Sequence, residues 1–240
     1  MCLDQPTTVG FTYGYERDAD NSEDNVGQNI YYFLQGFFQK HPELAGRDFY
    51  NTGESYDRHS VLAHYVWEQN KVNVKTPKYI NLKGIAIDNG ITQASIQLPH
   101  YVDMAIDNAY NITLVDESQL EAMKAAAPSV SLGVSAKRVG AWQKCNMKVL
   151  TAFYLPAEMV KPFNTYVADL LNDDLRVLIY AGDADLVCNW SGNQAWTLAL
   201  DWKGKQGFNM APETAQITTN GIHAGVVRSF KNQLTFSARV

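Results

Sequence analysis

Apolar residues at Val26, Ile30, Phe33, Leu34, Phe37 and Phe38 recur in steps of three and four, a spacing that gathers them on one face of an α-helix. Ser22 lies just upstream as a helix-start residue, and His41 precedes Pro42, where the α region is disfavoured, so the pattern predicts a helix between them. Its aromatic stripe reads as core. Residues 48–52 form a short strand-like run, 53–56 a bend, 61–69 a helix, and 78–87 a second strand-like run closed by Asp88-Asn89-Gly90. Strand, helix and strand in that order predict a βαβ unit in a parallel sheet. Upstream, residues 3–13 predict an extended segment and a turn. Downstream, residues 116–127 read as a helix stopped by Pro128, and 156–171 as another. Residues 176–182 are a nearly continuous apolar run bounded by charge and glycine, the pattern of a strand buried on both faces. A helix over 193–202 and two strands with a turn over 226–240 complete the prediction. No repeat or linker divides the chain, which reads as one α/β domain over residues 1–240.

Composition narrows the class. Hydrophobic residues are 46% and charged residues 19% of the 240, which excludes disordered, collagen-like and coiled-coil chains. Net charge is −5 and no Lys/Arg run exceeds two, so nucleic acid is not an expected partner. Apolar stretches such as 177–181 fall far short of the roughly 20 residues of a membrane span, and no membrane association is expected. The first residues carry neither a basic region nor an apolar stretch, so they do not read as a signal peptide. Cys2, Cys145 and Cys188 form no C-x-x-C and no metal-ligand spacing with histidine, so no metal site is expected. Scattered cysteines of this kind are most often buried free thiols. Asn111-Ile112-Thr113 is a sequon that matters only on a secretory route.

Candidate chemistry sits at the bends after strands. Gly53-Glu54-Ser55 lies between a strand and a helix, where a sharp turn holds a serine hydroxyl exposed; taken alone, it is as well an ordinary turn serine. Asp183 and Asp185 follow the most strand-like run, where an acid that orients a catalytic histidine is placed in this architecture; taken alone, they are turn formers. His223 is the one histidine after Asp185, and a strand-like segment follows it, so it reads as an exposed turn residue.

Five blocks, in order, resemble the serine carboxypeptidases, peptidases of the α/β-hydrolase fold. Leu3-Asp4-Gln5-Pro6 with Val9 to Tyr13 is similar to the family's Leu-Asp-x-Pro…Gly-Phe-Ser-Tyr block, and Phe33 to Phe38 with Pro42 to the helix before its elbow. Thr52-Gly53-Glu54-Ser55-Tyr56 matches the nucleophile motif, and Gly84 to Gly90 resembles its Lys-Gly-Ile-x-Ile-Gly-Asn-Gly strand. Val177 to Trp190, running on to Trp196, looks like the block of the catalytic aspartate, nearest to the carboxypeptidase Y branch. The resemblance implies an incomplete α/β-hydrolase fold, a mainly parallel sheet flanked by helices. It implies Ser55 as nucleophile, Asp185 as triad acid, the Tyr56 amide as an oxyanion donor and Glu54 as a contact to the substrate's terminal carboxylate. Gly53, Asn89, Asp183 and Cys188 are then structural neighbours of the site. No cofactor is implied, the partners are peptide or protein C-termini, and the location is vacuolar, lysosomal or secreted.

Departures from the family pattern set further expectations. Asp57 and Arg58 replace small residues beside the nucleophile, and Asp88 replaces a turn glycine, where strain on the order of 1–3 kcal/mol is expected. The family's Gly-rich oxyanion segment lies upstream of the block with which this sequence opens, and its triad histidine follows the strand ending at Val240. Residues 131–134 resemble sequence that follows the family's helical cap, so the cap is expected to be missing between Pro128 and Leu132. Cys145 looks like a cysteine paired in the family and is expected to be free; Cys188 looks like the family's unpaired thiol beside the site. The reading is therefore a serine-type carboxypeptidase or, alternatively, a catalytically impaired fragment or pseudoenzyme of that family; acyl transfer by the same triad is a third option. The pattern assigns no oligomeric state.

Overall fold

A computed structural model describes residues 1–10, 12–56, 59–74, 76–108, 110–126 and 147–239. The expectations placed on Asp57, Arg58, Pro128, residues 131–134 and Cys145 lie outside them.

The helix predicted from the first apolar stripe is α1 (Glu23–Lys40), capped by the Ser22 side chain accepting from the Asn25 N–H. Its buried face carries Val26, Gly27, Tyr31 and Leu34, whereas Phe33 is exposed and stacks on Phe37 outside the core. The core reading of the stripe is thus corrected for Phe33. Gly27 is where α1 meets the helix after the bend: a Cβ there would lie 3.1 Å from Val61 Cγ1 and 3.3 Å from the Leu62 nitrogen. A short α2 (Pro42–Ala45) leads to β1 (Phe49–Glu54), α3 (His59–Val72) and β2 (Leu82–Asp88), the predicted βαβ unit.

Three short segments follow, α4 (Ala94–Gln97), a 3-10 turn at Leu98–His100 and α5 (Tyr101–Ile106), none marked by hydrophobic periodicity. α6 (Glu117–Ala126) matches its prediction, and α7 (Met147–Tyr154) precedes the segment read as one helix over 156–171. That segment is broken instead. Ala157 sits at φ 59°, a 3-10 turn covers Glu158–Val160, and Lys161 before Pro162 is extended, so α8 begins only at Asn164 and ends at Asn172.

β3 (Arg176–Gly182) has the predicted bounds. Val177, Ile179 and Ala181 are buried, but the alternate positions are only half-covered, so burial on both faces is incomplete. α9 (Trp190–Ala199) starts three residues earlier than predicted because the Asn189 side chain accepts from the Gly192 N–H and caps it there. α10 (Lys205–Met210) and β4 (Glu213–Ile217) were not foreseen; β5 (His223–Phe230) and β6 (Leu234–Arg239) are the predicted strand pair. Among its described residues the opening block forms turns without a strand, the Thr12 hydroxyl bonding to the carbonyls of Pro6 and Val9.

The six strands make one sheet in the order β1-β2-β3-β6-β5-β4. β1, β2, β3 and β6 are mutually parallel, β5 is antiparallel to β6, and β4 to β5. Helices flank the sheet, and a core of Val66, Ile85, Leu170, Ile179, Trp196, Phe208 and Phe236 fills the space between. Four parallel strands therefore deliver their following loops to one edge, where ligands bind in sheets of this kind.

Candidate active site

Ser55 follows β1 directly and is held at φ 63°. This left-handed conformation is rare for a residue with a side chain and is kept only where the surroundings over-determine it. Here the Ser55 N–H donates to the Asp88 carbonyl at 2.9 Å, and the Ser55 carbonyl accepts from the Ile91 N–H at 3.2 Å. Its bend is thereby bolted to the turn after β2. Tyr56 lies in the turn, its ring edge-on to Phe153 of α7, and α3 begins only at His59. Gly53 is the next-to-last residue of β1, level with Ile87, and Glu54 ends the strand exposed to solvent.

Asp88 does not carry the expected strain. It closes β2 in register with Glu54 on one side and Tyr180 on the other, and the positive φ, 39°, falls on Asn89 instead. The Asn89 N–H donates to the Tyr180 carbonyl at 2.8 Å, which joins the ends of β2 and β3.

Asp185 lies in the turn after β3. Its Oδ1 accepts from the Val187 and Cys188 N–H groups at 2.8 and 2.9 Å, and its Oδ2 from Asn89 Nδ2 at 2.7 Å. Asp183, 8% exposed, accepts from the Tyr110 hydroxyl at 2.9 Å through Oδ1, which raises the Tyr110 pKa from its ordinary value. Among the described residues no donor reaches its buried Oδ2.

Cys188 ties the two halves together. It is buried with Ile91, Ala94 and Leu98 in a small core of its own, against Tyr101 and Met159. Burial pushes its thiol up to about 11; the charge of Asp185 adds to the shift, a hydrogen bond from Ser55 opposes it, and Glu54 contributes last. Tyr101 is raised to about 12, by burial first and then by Cys188, Asp185 and Tyr154. Residues read from two separate motifs thus act electrostatically on one thiol.

His223 is not a turn residue: it opens β5, exposed, in register with Ile217. Because β5 runs against β6, its start lies at the edge to which β3 and β6 deliver their loops, with β6 standing between β3 and β5. Among the described residues no cluster of three His, Cys, Asp or Glu side chains has the arrangement to hold a metal ion. Tyr101, Tyr110 and Met159, all beside the site, escaped the sequence reading; Tyr101 and Tyr110 come from segments without periodicity, Met159 from the broken stretch before α8, and only the tertiary fold brings them to Asp183 and Cys188.

The family model described as serine carboxypeptidase matches residues 1–131 and 128–239. The two matched pieces meet where the missing cap was expected. "Serine carboxypeptidase-like" from Oryza sativa subsp. japonica is 30% identical over 295 aligned residues, covering 95% of this chain and 67% of the relative. Carboxypeptidase Y homolog A of Sclerotinia sclerotiorum and carboxypeptidase Y of Candida albicans are each 30% identical over 96% of this chain, but over only 53% of their own length. Alignments longer than the 240-residue chain mean that these relatives carry internal segments this one does not. The chain spans between about half and two thirds of these relatives. Among solved structures, Kex1(delta)p, a prohormone-processing carboxypeptidase from Saccharomyces cerevisiae, superposes with a TM-score of 0.78 at 18% identity, covering 98% of this chain and 68% of that one. The architecture is the α/β-hydrolase fold, and by its match to the family model over nearly all its length the chain belongs to the serine carboxypeptidase family.

Proposed function

We propose that this chain carries the nucleophile and the orienting acid of a serine-type carboxypeptidase, which releases C-terminal residues from peptides through an acyl-enzyme on Ser55. The observation that carries the reading is the pairing of a serine at φ 63° after β1 with an aspartate fixed by three N–H donors after β3, both touching Cys188. In this reading the Ser55 hydroxyl attacks the scissile carbonyl, a histidine takes its proton, and Asp185 holds the imidazole in the required tautomer. The Tyr56 amide stabilises the developing oxyanion, and Glu54 meets the substrate's terminal carboxylate, one of the two acids holding a proton. Gly53 and Asp183 shape the two turns. Arg239 lies level with Gly182, so a histidine supplied from beyond β6 would arrive beside Asp185. The 240 residues are taken to work as one unit, in a vacuolar, lysosomal or extracellular setting.

A second reading, a peptide-binding protein without turnover, is favoured by the placement of the four histidines whose side chains are described. His41, His64 and His100 face Glu43, Asp169 and Asp103 at 3.4, 3.0 and 2.8 Å, and His223 is exposed on β5. Labelling by a fluorophosphonate, with and without free imidazole as a replacement base, tests both readings. Labelling that rises with imidazole, disappears in Ser55→Ala and falls by up to about 10⁴ in Asp185→Asn supports the catalytic reading. Labelling indifferent to Ser55→Ala overturns it, and calorimetric binding of a blocked dipeptide without imidazole-assisted labelling supports the second.

A further inference from the structure

We infer that Asn89 is the positioning residue of the triad acid: its side-chain amide fixes which lone pair of Asp185 is left for a histidine. The inference deepens the catalytic reading and rests on it for its consequence, but the geometry stands independently. Asp185 follows β3, whereas Asn89 follows β2, the strand between β1 and β3. Both oxygens of the carboxylate are engaged. Oδ1 is saturated by two backbone N–H groups, and among the described residues Oδ2 holds one donor, Asn89 Nδ2 at 2.7 Å, with room for one more. Rotation of the carboxylate would break all three bonds together, so the open site on Oδ2 points in one direction.

The amide itself has a determined orientation. Its Oδ1 accepts the Gly182 N–H at 3.1 Å, and an N–H facing that group would repel it, so Nδ2 must face Asp185. Its backbone is equally fixed, at φ 39° with its N–H on the Tyr180 carbonyl. Asparagine suits each requirement: it tolerates left-handed backbone, and it offers an acceptor to β3 and a donor to Asp185 from one planar group. A misplaced imidazole partner costs a catalytic unit up to about 10² in rate.

Asn89→Asp separates the two ends of the amide. It keeps an acceptor for Gly182 but replaces the donor to Asp185 by a repelling charge; Asn89→Gly, at home at positive φ, removes both ends and serves should the aspartate variant fold poorly. Amide hydrogen exchange at Gly182, Val187 and Cys188 in the folded chain reads the geometry. In Asn89→Asp, exchange at Val187 and Cys188 is expected to quicken roughly 2- to 10-fold with Gly182 unchanged; in Asn89→Gly all three quicken. Imidazole-assisted labelling of Ser55 should fall in both variants by about 10- to 100-fold, at an unchanged imidazole concentration for half-effect. Unchanged exchange at Val187 and Cys188 in both variants overturns the inference, as does uniform quickening across the sheet, the mark of a merely structural role. Failure of the catalytic reading looks different: the exchange pattern appears as expected, but labelling is indifferent to Asp185→Asn.

Discussion

Strain at Ser55 is the price of presenting its hydroxyl. At φ 63° its Cβ crowds the backbone, which costs roughly 1–2 kcal/mol against an extended residue. Alanine keeps that Cβ and glycine does not, while both remove the hydroxyl and its bond to Cys188. Ser55→Gly should therefore be more stable than Ser55→Ala by about 0.5–1 kcal/mol, after allowance for the greater freedom of glycine in the unfolded chain. Urea denaturation of the pair measures this directly, and equal midpoints would mean that the turn is relaxed. The same reasoning explains why Asp88 replaces glycine without penalty: at the end of β2 its backbone is that of a strand, and the demand for left-handed backbone has passed to Asn89.

Between elements, one buried acid joins distant parts of the chain. Glu158, 1% exposed, accepts the Glu23 N–H at the start of α1 at 3.1 Å and pairs with Lys161. Glu158→Ala removes the acceptor that the Glu23 N–H uses at the start of α1 together with the partner of Lys161, and a loss of about 1–3 kcal/mol is expected, seen as a lower urea midpoint at an unchanged slope. Glu158→Gln keeps an acceptor and should lose less; no loss in either variant would show that water replaces the carboxylate. Such a link, 135 residues apart in sequence, illustrates what the sequence conceals. α1 and β3 were legible because a local rule dominates each: a cap with a 3.6-residue stripe for one, an apolar run between charge and glycine for the other. The segments at 94–106, 205–210 and 213–217 are too short to show a period, and Pro162 broke a helix that apolar spacing alone suggested. At the candidate site, Ser55 and Asp185 were legible as bends after strands. Tyr101, Tyr110 and the double role of the Asn89 amide depend on contacts made only in the folded chain.

For the whole molecule, the thiol and phenols that burial keeps protonated make stability fall at alkaline pH. Cys188 is raised from its ordinary 9.0 to about 11, and Tyr101 and Tyr166 from 10.0 to about 12; burial is the leading cause for each. In the unfolded chain these groups lose their protons at the ordinary values, so between the two values the folded chain binds more protons and stability declines as pH rises. Their contribution is complete below about pH 9 and is lost as pH climbs through the folded values. Tyr101 and Cys188 belong to the small core beside the candidate site, and Tyr166 stacks on His64 between α3 and α8. The urea midpoint of the intact chain should hence fall in two stages, from pH 9 to 11 with the thiol and from pH 10 to 12 with the phenols. Cys188→Ala is destabilised by its cavity at pH 8, but its deficit should shrink steadily between pH 9 and 11, since the alanine chain has no thiol to ionise. Tyr101→Phe should behave likewise one pH unit higher. A deficit for Cys188→Ala that is constant from pH 8 to 11 would place the thiol at its ordinary value in the folded state and would remove its burial from the account of the site.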